Sequence, residues 1–227
     1  MKRLLILSAC LFLLTSSPSS AVNLDFIKAV RPLQKVDYIN PNGETVYRNT
    51  CTAVQINKID HIWLTAAHCV LDEVYGEEGP EITLGTRFIG TQVMSVAAPV
   101  VIIEVDTDKD LAVLQAPSFY YPFSVKFGRE PKLGQEIFIA GHPFGYKDVF
   151  LTRGWIANMK ADLDYGSKFM VFQVPAAPGN SGSPVFNTKG EIVSILQIGW
   201  TRSFSPMTGG ALWENVRMIA GKYFQSE

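Results

Sequence analysis

Ser181 stands in Gly179-Asn180-Ser181-Gly182-Ser183-Pro184, a run whose glycines and proline mark a tight turn. A serine hydroxyl attacks poorly at neutral pH unless a neighbouring base takes its proton and a third group orients that base. Both partners lie upstream. His68, in Thr65-Ala66-Ala67-His68-Cys69, supplies an imidazole, and Asp110, in Asp110-Leu111-Ala112-Val113-Leu114, supplies a carboxylate. Such a set performs acyl transfer through a covalent serine intermediate and calls for neither a metal nor an organic cofactor. Its local competitors are weaker. His61 belongs to a charged turn, and His142 to a Gly/Pro loop where it satisfies backbone groups. Asp106 and Asp108 lie in a polar loop, whereas Asp110 opens the strand that fixes its carboxylate. Ser183 lacks the pair of glycines that brackets Ser181 and lets the backbone approach a substrate closely. The N–H groups of Gly179 and Ser181 are the candidate donors to a developing oxyanion.

The order His, Asp, Ser along the chain resembles that of the chymotrypsin-fold, trypsin-like serine endopeptidases. An α/β-hydrolase needs its histidine after the serine, and no histidine follows His142. Subtilisin order needs an acid with a matching motif before His68, and Asp60 sits in a charged turn without one. Within the family the chain is most similar to the compact branch of HtrA-type proteases and V8-like glutamyl endopeptidases. Gly179 to Asn187, GNSGSPVFN, resembles the V8-like nucleophile segment. Ala140-Gly141-His142-Pro143-Phe144-Gly145, followed by Thr152-Arg153-Gly154, resembles a stretch of the HtrA-type enzymes.

The resemblance runs from about Ile27 to Phe224. It implies an all-β chain of two six-stranded antiparallel Greek-key barrels with a C-terminal helix, cutting protein or peptide substrates through an acyl-enzyme. The expected layout is a signal peptide over 1–21, a first barrel with His68 and Asp110 over 22–118, a connection over 119–132, and a second barrel with Ser181 plus the helix over 133–227. No PDZ domain is expected after it. Asn180 stands where pancreatic-type enzymes carry an aspartate that pairs with a freed N-terminus, so activation by that ion pair is not expected.

Local patterns agree with short strands. Apolar, β-branched runs recur at Thr50 to Ile56, Ile62 to Thr65, Glu81 to Leu84, Phe88 to Val96, Val100 to Val105 and Leu111 to Gln115. A second set follows the Pro- and aromatic-rich stretch Pro117 to Leu133: Glu136 to Ala140, Val149 to Ala157, Lys168 to Val174, Pro184 to Phe186 and Glu191 to Ile198. Leu212 to Tyr223 has helical spacing and predicts a helix packed on the second barrel.

Lys2 and Arg3, an apolar run from Leu4 to Leu14 and a small-residue end at Ala21 form the layout of a secretory signal peptide. The run is too short to span a bilayer, which takes about 20 residues. Leu7-Ser8-Ala9-Cys10 resembles a lipoprotein cleavage box, but the apolar run before it is short and continues beyond it. The expected location is therefore periplasmic or secreted, with no membrane segment after processing. The chain carries 20 basic and 21 acidic residues, with no basic patch to suggest nucleic acid as a partner.

Cys10 leaves with the signal, so Cys51 and Cys69 remain. An even number in an exported chain suggests one disulfide, and the resemblance implies the same closure beside the histidine. It would stabilise the fold by about 3 kcal/mol. Two buried thiols are the other reading, and no ligand spacing suggests a metal.

By the same resemblance, Pro175, Ala176, Leu196, Gln197, Ile198 and Gly199 should border the pocket for the residue before the cut. Pro175 occupies the place where a trypsin-like pocket carries its carboxylate, and Leu196 the place of the histidine that V8-like enzymes use for glutamate. Cleavage after small or medium apolar residues is the resulting expectation. The alternatives are a Glu-specific enzyme and a catalytically weak, protease-like binding module.

Overall fold

The computed structural model of the chain describes residues 23–76, 79–84, 87–90, 97–162, 168–200 and 207–224. The expected signal peptide, 1–21, lies outside them. Two barrels account for most of the rest. The first closes from β1 (Val30–Ile39), β2 (Thr45–Asn57), β3 (Ile62–Thr65), β6 (Arg87–Gly90), β7 (Ala97–Asp106) and β8 (Leu111–Gln115), in the order β1-β2-β3-β8-β7-β6. A separate hairpin, β4 (Leu71–Gly76) with β5 (Gly79–Leu84), is inserted between β3 and β6. The second barrel closes from β9 (Glu136–Gly141), β10 (Phe150–Asp162), β11 (Lys168–Gln173), β12 (Pro184–Phe186), β13 (Ile192–Trp200) and β14 (Met207–Gly210), in the order β10-β11-β14-β13-β12-β9. All pairings within the barrels are antiparallel.

The continuous apolar runs in β3, β8 and β9 have a single cause. Side chains alternate across a strand, and here both faces are buried. In β8, Ala112 and Leu114 point into the first barrel with Leu33 and Trp63, while Leu111 and Val113 point into the seam between barrels. In β9, Ile137 and Ile139 fill the second barrel with Phe172 and Val185, while Phe138 and Ala140 enter the same seam. The seam is thus one apolar core sewn from both barrels. It holds the two halves of any site at their junction.

Helix α1 (Trp213–Ala220) spans most of the expected range, and the last turn, Gly221–Tyr223, is 3-10. It packs on the second barrel as expected, against Ile192 and Ile195 of β13, and reaches the first barrel as well. Val216, Ile219 and Ala220 enter the seam beside Leu111 and Val113 of the first barrel. The following turn fastens there too, with Lys222 Nζ 2.7 Å from Glu104 Oε2 and the Tyr223 hydroxyl donating to the same oxygen at 2.8 Å.

Strand β1, the early part of β2 and β14 were not expected as strands. Arg31, Pro32, Gln34 and Lys35 interrupt the apolar pattern of β1, and two of the four residues of β14 are glycines, which weaken a strand signal. The expected strand Phe88 to Val96 is described only to Gly90, within β6.

Candidate active site

His68 lies on a single 3-10 turn, Ala67–Cys69, where β3 leaves the first barrel. Small residues permit so tight a turn, closed by the Cys69 N–H to Ala66 O at 3.2 Å and the Val70 N–H to Ala67 O at 2.9 Å. A disulfide joins Cys69 to Cys51 in β2, as the cysteine count and the resemblance imply. It ties the histidine turn to the strand that also holds the serine loop. Cys51, His68 and Cys69 bring ligand-type atoms within 4.8 Å of one another, but both sulfurs are taken by the disulfide and offer no thiolate.

Asp110 grips His68 at two points. Its Oδ1 accepts the His68 backbone N–H at 2.8 Å, and its Oδ2 lies 2.8 Å from the ring Nδ1. The carboxylate thereby fixes both the turn and the ring. Asp110 itself has φ +49°, a left-handed conformation that aspartate tolerates better than most residues. Such backbone strain is of order 1–3 kcal/mol and persists where surrounding bonds enforce it. The enforcing bonds come from both sides. Asp106 accepts from the backbone and side-chain nitrogens of Lys109 at 2.9 and 2.6 Å. From the second barrel, Gln197 Nε2 donates to Lys109 O at 2.6 Å and to Asp110 O at 2.8 Å. Asp106 therefore braces the loop, and Asp110 is the acid that meets the histidine.

The serine loop enters between β11 and β12. Gly179 (φ +95°) and Gly182 (φ +80°) both need the left-handed region, and neither has room for a Cβ. A Cβ on Gly179 would collide with His142 O, and one on Gly182 with Thr52 O and Thr65 Oγ1. Ser181 is half-buried, and its carbonyl accepts the Thr52 N–H at 2.8 Å. The Gly182 N–H donates to Leu196 O at 2.8 Å, tying the loop to β13. Among the described residues, neither the Gly179 nor the Ser181 N–H donates to a protein acceptor, while the Asn180 N–H between them is spent on Ala177 O at 3.0 Å. The Ser181 hydroxyl makes no hydrogen bond to the His68 ring in this structure. Such bonds are often long in unliganded sites. Ser183, in contrast, is fully buried and its hydroxyl has no partner.

A pocket of about 200 Å³ opens beside Ser181, lined by Ala176, Ala177, Pro178, Asn180, Leu196, Gln197, Ile198 and Gly199. Pro175 does not line it and faces a neighbouring hollow with Ile139, Pro143 and Phe150. A larger hollow of about 630 Å³ runs from His68 and Asp110 past Lys168 and Phe169 to Leu212, and shares Gln197 and Ile198 with the first.

Two contributors escaped the sequence reading. Gln197 was expected as pocket wall alone, yet its amide reaches back to the acid's backbone. Thr52 was not singled out, although its hydroxyl donates to Gly179 O at 3.0 Å and accepts the His142 N–H at 3.0 Å. The signal for Thr52 was its place beside Cys51 in β2.

The sequence model of the family described as "Trypsin-like peptidase domain" matches residues 50–195. The chain is similar to a "Probable periplasmic serine endoprotease DegP-like" of Ectopseudomonas mendocina, 36% identical over 106 residues that make up 45% of this chain and 22% of that one. To its counterpart in Pseudomonas fluorescens it is 32% identical over 144 residues, 62% of this chain and 27% of the relative. The chain thus spans about a quarter of the length of these curated relatives. In fold it is similar to the crystal structure of the Rv3671c protease of M. tuberculosis, with a TM-score of 0.65 and 16% identity over 93% of this chain and 90% of the other.

Proposed function

Because the chain belongs to the trypsin-like peptidase domain family, we propose that it is an exported serine endopeptidase in which Ser181, His68 and Asp110 form the catalytic triad. The observation that carries this reading is the two-point grip of Asp110 on His68 at the edge of the cleft that holds Ser181. Ser181 Oγ attacks the peptide carbonyl carbon while its proton passes to His68 Nε2. The oxyanion that forms is received by the N–H groups of Gly179 and Ser181, each such donor contributing about 3–4 kcal/mol to the transition state. The C–N bond then breaks as His68 returns the proton to the leaving nitrogen. Water, activated by the same imidazole, hydrolyses the acyl-enzyme. Asp110 keeps the Nδ1 tautomer and stabilises the imidazolium.

The walls of the 200 Å³ pocket support a preference for small or medium apolar residues before the cut. Its lining holds no charged side chain, so a Lys, Arg or Glu would be buried without a partner. Selectivity among apolar residues stays graded, since one methylene changes it by only about 10- to 200-fold. Location in the periplasm or outside the cell rests on the segment 1–21, the disulfide and the named location of the relatives. No helix among the described residues is long and apolar enough to cross a membrane. The halves 22–118 and 133–227, with 119–132 between them, are the natural units of the fold.

A second reading, a binding module on the same fold, draws on the missing Ser181–His68 hydrogen bond. Fluorophosphonate labelling separates the two. The processed protein should label at Ser181 and cut a peptide library after Val, Ala or Leu. No labelling would favour the binding module, and cuts dominated by Glu, Lys or Arg would sink the assignment of specificity.

A further inference from the structure

Arg31 is the least expected side chain in the molecule. It lies in β1, which alternation would make half polar, yet it is only 5% exposed. Burial pulls its guanidinium down to about 10, so it remains a cation at neutral pH. A buried cation normally has a carboxylate beside it, because leaving it alone in a low-dielectric interior is costly. Among the described residues Arg31 has no ion pair. Of its five N–H donors, one NH1 proton goes to Val30 O at 2.5 Å, and Nε is buried with no acceptor. Its other compensation is the face of Tyr121, whose ring centroid is 4.1 Å from the guanidinium carbon. Cation–π contact does not satisfy the fork's protons.

The guanidinium lines a cavity of about 370 Å³, with Ile27, Lys28, Tyr121, Asp148 and Val149. That volume falls within the range of about 300–1,000 Å³ typical of small-molecule sites. The cavity shares no residue with the pocket beside Ser181. Its chemistry is divided. With Nε enclosed and one NH1 proton spent on Val30 O, Arg31 keeps the remaining protons of its two terminal nitrogens, a planar end-on fork that matches a carboxylate in bidentate fashion. Ile27 and Val149 offer aliphatic wall, and Tyr121 is occupied by the guanidinium itself. Lys28 adds a second cation, although Asp25 holds it at 2.6 Å. Asp148 is the one carboxylate in the lining and makes no ion pair with Arg31.

We propose that this cavity is a binding site for a small organic carboxylate with a short apolar tail, held by Arg31 and flanked by Ile27 and Val149. The inference is independent of the triad, since nothing in it requires Ser181 or His68 to react. Its position has a consequence for the rest of the molecule. Gln34, three residues along β1, donates to Asn49 Oδ1 at 2.8 Å, and Asn49 donates to Gly145 O at 2.9 Å. The turn at Gly145 in turn meets the serine loop, where the Phe144 N–H donates to Pro178 O at 2.6 Å. That chain of hydrogen bonds to the serine loop starts on the same strand as Arg31, three residues beyond the cavity.

The test is thermal unfolding of the processed protein at constant ionic strength, titrated with isobutyrate, isobutyramide, phosphate or chloride. A ligand of the native state alone raises the midpoint in a saturable way. Isobutyrate should do so in the millimolar range and isobutyramide, its neutral isostere, should not. Arg31→Gln should weaken the response at least tenfold. Arg31→Lys, which keeps the charge and loses the fork, should weaken it severalfold and guards against a Gln variant that fails to fold. Asp148→Asn should strengthen it by removing the carboxylate that repels an anionic ligand in the same cavity. The proposal is overturned if isobutyrate acts no differently from chloride or isobutyramide, or if phosphate alone gives the saturable shift. It is overturned equally if the Arg31 variants respond as the wild type does.

Discussion

Two imidazoles flank the cleft, and the molecule treats them in opposite ways. His68 keeps 46% of its side chain exposed, with the Asp110 carboxylate on Nδ1. His142 sits fully buried at the end of β9, with Nδ1 3.1 Å from Tyr146 O and Nε2 without a partner. Burial pushes the His142 imidazole down to about 4; the Tyr146 carbonyl opposes the shift and the Arg31 charge reinforces it. The buried ring is held neutral at neutral pH. The difference lies first in burial, complete at His142 and partial at His68, and then in the neighbour on Nδ1, a carbonyl at one and a carboxylate at the other.

The sharpest way to break this contrast is to remove each ring in turn. His68→Ala should lower kcat by about 10⁶-fold with little change in KM, as expected for a base acting with its nucleophile as a unit. His142→Asn should keep kcat within about tenfold while losing roughly 1–3 kcal/mol of stability, the ordinary range for a disrupted buried group. Steady-state kinetics and urea unfolding on both variants decide the matter. A comparable kinetic loss in the two would erase the division of labour.

Stability against pH reads the buried ring directly. The unfolded chain takes up a proton at His142 near pH 6.5, while the native state resists until about 4. Over that window the unfolded state binds more protons, so native stability falls as pH falls. The contribution is fully present above about 6.5 and is lost progressively toward 4, amounting to roughly 3 kcal/mol at most. His142→Asn should flatten that part of the curve, as measured by urea unfolding from pH 7 to 4. An unchanged slope would place the proton elsewhere.

The first corner can be sharpened through Gln197. Its amide holds Asp110 in the left-handed conformation from the opposite barrel, so Gln197→Leu should leave the carboxylate present but poorly aimed. A loss of about 10- to 100-fold in kcat is expected, the range in which small misplacements act. The pH profile of kcat/KM should move with it. A change in KM alone would return Gln197 to the role of pocket wall.

How much of this was legible beforehand follows from where each signal resides. His68, Asp110 and Ser181 stand out in the sequence because tight turns demand Gly, Ala and Pro around them, and those demands are local. The double-sided burial of β8 and β9 was readable as unbroken apolar runs. Strand β1 was not, because Arg31 and Gln34 are buried polar residues whose accommodation depends on the linker and on Asn49, far away in sequence. Strand position also located Gln197 without revealing that its amide turns away from the pocket. The packing of α1 into the seam was hidden for a related reason: helical spacing shows which face is apolar, but not which strands cover it.

The smallest expected effect concerns two serines that differ in burial as the two histidines do. Ser183 lies two residues beyond Ser181 and has the same hydroxyl, yet its Oγ is enclosed without a partner, against the α-carbon of Gly141 and near Asn180. An unsatisfied buried hydroxyl destabilises by about 1–3 kcal/mol, and removing it relieves that penalty while leaving a small void. These two terms oppose each other at similar size. Ser183→Ala should therefore change the unfolding midpoint by no more than about 1 kcal/mol equivalent, with either sign, and should keep peptide cleavage within about threefold of wild type. The Ser183 N–H to Asn180 O bond and the Leu196 N–H to Ser183 O bond, at 2.9 and 2.8 Å, are made by the backbone and survive the substitution. The loop that presents Ser181 thus keeps its shape. Unfolding and fluorophosphonate labelling on the same preparation check both halves, and a loss of labelling in Ser183→Ala as complete as in Ser181→Ala would move the nucleophile two residues along the chain.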